Sequence, residues 1–148
     1  MNTVWAHHTE PQAFAAICGF VAKRVWGKLN DFGAGTAMGV VHEGQPVAGV
    51  VFHNWDAAAG VIELTAAADT PRWLNRAVLA DMFGYAFGQL GCQAVVLRVD
   101  PENRRMDRIA RAYGFVRHDI PRLRGKNKAE AVYVLSDDAW CANGFHRS

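Results

Sequence analysis

The chain has 148 residues, 16 Lys or Arg against 14 Asp or Glu, and a hydrophobic share of 51%. That length suits one ordinary domain, and that composition excludes an intrinsically disordered chain. The three cysteines, Cys18, Cys92 and Cys141, form no disulfide framework or metal cluster, so reduced thiols and a cytoplasmic setting are expected. No apolar run reaches the roughly 20 residues that cross a bilayer. The stretch after Met1 lacks a basic segment followed by an apolar one, so no signal peptide is evident. The His residues show no metal-ligand spacing, and no metal is expected.

A short first strand around Val4 is weakly signalled. Helical rhythm then runs from Pro11 to Trp26, where Phe14, Ile17, Cys18, Val21 and Val25 recur at three- and four-residue steps. Pro11 suits a first turn and Gly27 a stop. Two β runs follow, residues 36–42 and 46–55, around the turn Glu43-Gly44-Gln45; a third covers 61–66. From Pro71 to Leu90 the period changes to that of one long amphipathic helix, ended by Gly91. Ala94 to Val99 is an apolar run typical of a strand covered on both faces. Strand, helix and buried strand make a βαβ crossover, with 61–68 and 93–100 parallel. A second helix is expected over Pro101–Tyr113, closed by Gly114. Strands at Phe115–Arg122 and Ala131–Leu135 flank a basic turn, 124–128. One domain over 1–148 is expected.

Charge is unevenly spread. Residues 98–128 hold ten Lys or Arg and four Asp or Glu, leaving six basic and ten acidic residues elsewhere. Such asymmetry suggests a basic face that meets an anion. Arg104, Arg108 and Arg111 share one helix face and suit either a phosphate or an acidic substrate, or else open solvent.

The stretch from Glu63 to Ala77 carries the chemistry. A strand runs into a helix whose first turn reads Arg72-Trp73-Leu74-Asn75-Arg76-Ala77. Bare amides at a helix start bind an anion, and the helix dipole adds to this. Arg72 and Arg76 supply charge, and Ala77 a small side chain. A carboxylate at Glu63, among Ile62, Leu64 and alanines, reads either as a desolvated group suited to proton transfer or as a side chain on a solvated strand face or paired with an arginine.

This stretch resembles the phosphate-binding motif of the GNAT superfamily of acyl-CoA N-acyltransferases, Arg/Gln-x-x-Gly-x-Gly/Ala. The matching residues are Arg72, Asn75 and Ala77, with Asn75 replacing the central glycine. Asn103 followed by Tyr113-Gly114-Phe115 is similar to a second family pattern, and the ending through Asp138-Ala139-Trp140 to its last strands. The likeness covers about 36–140 and is nearest to compact bacterial and phage members similar to ribosomal-protein N-terminal acetyltransferases.

The resemblance implies an α/β (α+β) fold: a mixed, mostly antiparallel sheet with a central parallel strand pair and flanking helices. It implies acetyl-CoA (acyl-CoA) as co-substrate, a primary amine as acceptor and direct attack of the amine on the thioester. Strand amides near Thr65, Ala66 and Ala67 would polarise the thioester carbonyl. The turn from Arg72 and Trp73 through Leu74, Asn75, Arg76 and Ala77 would hold the pyrophosphate, and Asn103 the pantetheine arm. Glu63 is the first candidate base, as in some family members, and His53 the second. The family's tyrosine acid falls on Ala110 here; Tyr113 is the nearby candidate, or a core aromatic. Paired subunits are common in the family, so a homodimer is one expectation. Two rivals stand beside this: a nucleic-acid-modifying enzyme using the basic 98–128 face, and a non-catalytic CoA- or partner-binding module.

Overall fold

A computed structural model describes residues 1–145. β1 (Asn2–His7) leads into α1 (Pro11–Trp26), whose ends match Pro11 and the left-handed Gly27. β2 (Gly35–His42) and β3 (Gln45–Asp56) form a hairpin. Its turn residues Glu43 and Gly44 both have positive φ, 52° and 78°, which matches the twist of the strands. β4 (Val61–Ala68) completes the meander, and β5 (Ala94–Val99) follows the crossover. After α3 (Arg104–Tyr113) come β6 (Val116–Gly125), β7 (Lys128–Ser136) and α4 (Asp137–Asn143). The seven strands form one sheet in the order β1-β2-β3-β4-β5-β7-β6. Only β4 and β5 among neighbours run parallel.

The expected 71–90 helix is three pieces: a 3-10 turn at Pro71–Trp73, α2 at Arg76–Phe83 and a π-helical segment at Gly84–Gln89. Side-chain caps cause the break. Thr70 Oγ1 accepts from the Arg72 amide at 3.3 Å, and Asn75 Oδ1 accepts from the Val78 amide at 2.9 Å. Each is a helix-start signal, and burial of Trp73 draws the turn between them inward. Likewise α3 begins at Arg104 rather than Pro101, because Asn103 Oδ1 caps the Met106 amide. The β6–β7 turn is Lys126-Asn127 alone. α4, not expected, starts at the cap Ser136 with Asp137 and Asp138 in its first turn, where carboxylates suit the dipole.

The core has two parts. One face of the sheet buries Met38, Phe52, Tyr133 and Leu135 against α2, the π segment and α3. The other buries Val51 and Ala37 against Phe14, Val21 and Ala22 of α1. Gly49 permits that contact, since a Cβ there would lie 2.8 Å from Val21 Cγ2. Among the described residues, no helix is long and apolar enough to cross a membrane.

Candidate active site

β4 and β5 pair from Val61↔Ala94 to Leu64↔Leu97, and there the pairing stops. Both strands continue, β4 to Ala68 and β5 to Val99. Each stays bound on its outer side: β4 to β3 through Ala68↔Ala48, and β5 to β7 through Val99↔Ala131. The strands therefore part only from each other. The gap opens into a cavity of ≈ 730 Å³, walled by β4, the 69–74 loop, β5, α3, the end of α1 and the β6–β7 pair.

Glu63, Thr65, Ala66, Ala67, Trp73, Leu74 and Asn103 all line this cavity. Arg72, Asn75, Arg76 and Ala77 are exposed and lie outside its lining. Asn75 spends its side chain on the Val78 amide, and Arg76 stands 5.5 Å over the Phe145 ring. The first-turn amides of Arg76 and Ala77 have no intrahelical acceptor, as at any helix start. From α3 the cavity takes Arg105, Met106 and Ile109, not the face of Arg104, Arg108 and Arg111. Tyr113 lies in the core, stacked on Phe83 at 4.7 Å, with its hydroxyl accepting from Trp140 Nε1 at 3.2 Å. Burial pushes that hydroxyl's pKa above its usual value.

His53 and Glu63 face each other across β3 and β4. The buried His53 ring sets Nε2 2.8 Å from Thr65 Oγ1 and 3.7 Å from Glu63 Oε2. Asn54 Nδ2 donates to Glu63 Oε1 at 3.1 Å. Desolvation lowers the His53 pKa, while the Glu63 charge pulls the other way. Burial wins, so the ring is neutral at neutral pH. The arrangement can keep a carboxylate oriented at the cavity wall and accept a proton there.

No protein-family model and no curated protein matches this sequence. Solved structures do match. A putative acetyltransferase aligns with a TM-score of 0.64 at 19% identity, over 74% of this chain and 60% of that one. A GCN5-related N-acetyltransferase from Brucella melitensis aligns at 0.61 and 22% identity, over 75% and 54%. A point variant of the spermidine N-acetyltransferase SpeG from Vibrio cholerae aligns at 0.62 and 13%, over 74% and 70%. The chain has the GNAT acetyltransferase fold. It spans 60% of the length of the first of these structures and 54% of the second.

Within this GNAT fold, the sequence reading missed one wall of the cavity. Arg98 of β5, Arg124 of β6 and Glu130 of β7 all line it. Glu130 is 3% exposed and bridges the other two: Oε1 accepts from Arg98 Nε at 3.0 Å and Oε2 from Arg124 Nη1 at 2.7 Å. At the rim, Arg24 of α1 grips Asp69 at 2.6 and 2.9 Å. The available signal was a single charge inside an otherwise apolar strand, Arg98 in 94–99 and Glu130 beside Ala131. Of the ten basic residues in 98–128, Arg98, Arg111, Arg117, Arg124 and Lys128 are paired with carboxylates. Half of that basic charge is thus neutralised internally. Among the described residues, no group of three or more His, Cys, Asp or Glu side chains is placed to hold a metal ion.

Proposed function

We propose that the chain is an acyl-CoA-dependent N-acyltransferase that moves an acetyl group to a primary amine. The supporting observation is the opening between β4 and β5, which gives a thioester a route between two strands beside the Glu63 carboxylate. The cavity suits an extended acyl-CoA. The turn at 71–77 would hold the pyrophosphate, with Arg72 and Arg105 as counter-charges and the amides of Arg76 and Ala77 as donors. Asn103 and Met106 would flank the pantetheine arm.

Beyond Leu64, the β4 edge toward β5 has no strand partner; strand alternation turns the 65 and 67 amides to β3, as at Asp69, and leaves the Ala66 amide available to a thioester oxygen. The acceptor arrives mainly as an ammonium ion. Glu63, held by Asn54 and backed by neutral His53, removes its proton. The free amine attacks the thioester carbon; the C–N bond forms, the C–S bond breaks and the thiolate leaves. The amine's second proton and the proton for the thiolate pass through water, because the Tyr113 hydroxyl is turned to Trp140 in the core.

Calorimetric titration with acetyl-CoA, followed by a thiol-release assay against an amine panel, tests the reading. Binding with amine-dependent thiol release is expected. Binding without release under any amine would leave a CoA-binding module, and no binding would remove the reading altogether.

A further inference from the structure

We infer that the acceptor carries its own carboxylate and binds as a zwitterion, its ammonium toward Glu63 and its carboxylate toward Arg98 and Arg124. This rests on the acyl-transfer reading and names the substrate class for the same cleft. The cavity's charges are four arginines and four carboxylates, so their placement, not their sum, decides the ligand. Arg24 and Asp69 cancel at the rim. What remains is Glu63 on the β4 wall, Arg105 on α3, and across β5 a cluster of Arg98 and Arg124 with Glu130 and Asp100.

Strand register fixes that opposition. Glu63 pairs with Val96, so Arg98, two residues on, shares its sheet face. Arg98 pairs with Val132, which puts Glu130 on that face too. Neighbouring strands lie about 4.8 Å apart, so the Arg98 backbone on β5 stands one strand width from β4, and the Arg124 backbone on β6, whose side chain reaches back to Glu130, stands three. The nearer span matches an amine and a carboxylate separated by a few bonds.

Glu130 cannot itself serve as the acceptor of an ammonium. Both its oxygens are taken by guanidinium groups, and it is buried beneath them. Arg98 and Arg124 line the cavity beside it. Arg98 Nη1 and Arg124 Nη2 have no protein partner among the described residues, and Arg98 Nη2 has only the Leu123 carbonyl at 3.4 Å. Asp100 lies 3.8 Å from Arg124 Nε but closer, 3.1 Å, to Lys128. Three cations against two carboxylates leave this cluster at +1. An ion pair kept for stability alone repays its desolvation poorly. A buried carboxylate that orients two guanidinium forks into a cavity makes a planar, oxyanion-selective wall.

The test uses the full chain saturated with CoA, which lacks the acyl group and so permits binding without turnover. Glycine, β-alanine and γ-aminobutyrate are titrated against their carboxamides, with spermidine as a polycation. At the best chain length the carboxylate should bind about tenfold or more tighter than its amide. Arg98→Gln should collapse that ratio toward one, and Arg98→Lys should keep part of it. Because Arg98→Gln leaves Glu130 with one partner, the triple variant Arg98→Gln, Arg124→Gln and Glu130→Gln is measured beside it. It removes both forks without stranding a buried charge, and its ratio should also be one. Amides or spermidine binding as tightly as the carboxylates would overturn the inference, as would a preference that survives in the triple variant. An Arg98→Gln effect on acetyl-CoA affinity, with none on the amine, would assign the arginines to the donor's phosphates and overturn it too. Failure of acetyl-CoA to bind would strike the acyl-transfer reading by itself, since the carboxylate-to-amide ratio can be read without a donor.

Discussion

The two edges of β4 behave in opposite ways. Its β3 edge is paired from Glu63 to Ala68, while its β5 edge is paired only from Val61 to Leu64. The closed edge holds the strand, and the open edge leaves the Ala66 amide facing a cavity that the Glu63 side chain, one residue before the parting, also lines. One strand thus joins a fully paired edge to a cavity-facing one, a geometry loop-borne sites achieve less readily. The fold side of this contrast should respond to mutation through stability, and the cleft side through binding and rate.

Breaking the closed edge should have the largest effect. Phe52 sits opposite Leu64, is fully buried, and packs its ring against Trp5 at 5.8 Å and Tyr85 at 4.9 Å. Phe52→Ala should cost about 3–5 kcal/mol of stability, read by denaturant titration. A loss below about 1 kcal/mol would mean that the sheet repacks and is not stiff at this level. At the cavity wall, Glu63→Gln should lower kcat about 10²- to 10⁴-fold with little change in melting temperature or acetyl-CoA affinity. Unchanged turnover would reduce Glu63 to a structural partner of Asn54 and His53. Smaller again is Arg72→Ala, which removes an exposed cation at the helix entrance. Acetyl-CoA binding should weaken by about 1–3 kcal/mol, measured by calorimetry, and thiol release at saturating donor should persist.

The same contrast separates what was legible in the sequence. α1 could be bounded because Pro11, the apolar steps through Val21 and the left-handed Gly27 are local signals that agree. The βαβ crossover was legible because period and length both change at Pro71. The break before Arg76 was not, because the caps at Thr70 and Asn75 take effect only with Trp73 turned into the core between them, a matter of tertiary packing. Asn75 looked like a poor substitute for a glycine; its observed work is to cap α2, which a motif written as glycine conceals. The Arg98–Glu130–Arg124 wall was hidden for a topological reason. β7 lies between β5 and β6, so the residues meet only through a strand order that departs from chain order. No local pattern encodes that order.

The smallest effect expected is one of pH, and it sits where the two edges meet. His53 is on the closed side, yet its ring touches Thr65 and approaches Glu63 of the cavity wall. Its pKa is lowered in the folded chain, by desolvation first, with Glu63 opposing. Unfolded, it takes up a proton near pH 6.5. Below that value the unfolded chain binds the proton before the folded one does, so stability should fall as pH drops from about 6.5 toward the folded pKa, then level off. Above about 6.5 the ring is neutral in both states and adds no pH dependence. Asp107, whose carboxyl is held down to about 2 by Tyr133 and then by Arg111 and Arg117, loses its contribution well below this window and does not confuse it. Melting temperatures from pH 7.5 to 5 should therefore slope downward in the wild type, and His53→Gln should flatten that part of the curve. An identical slope in the variant would mean that the ring is not held neutral by burial, and Glu63 would then face an imidazolium rather than a neutral support.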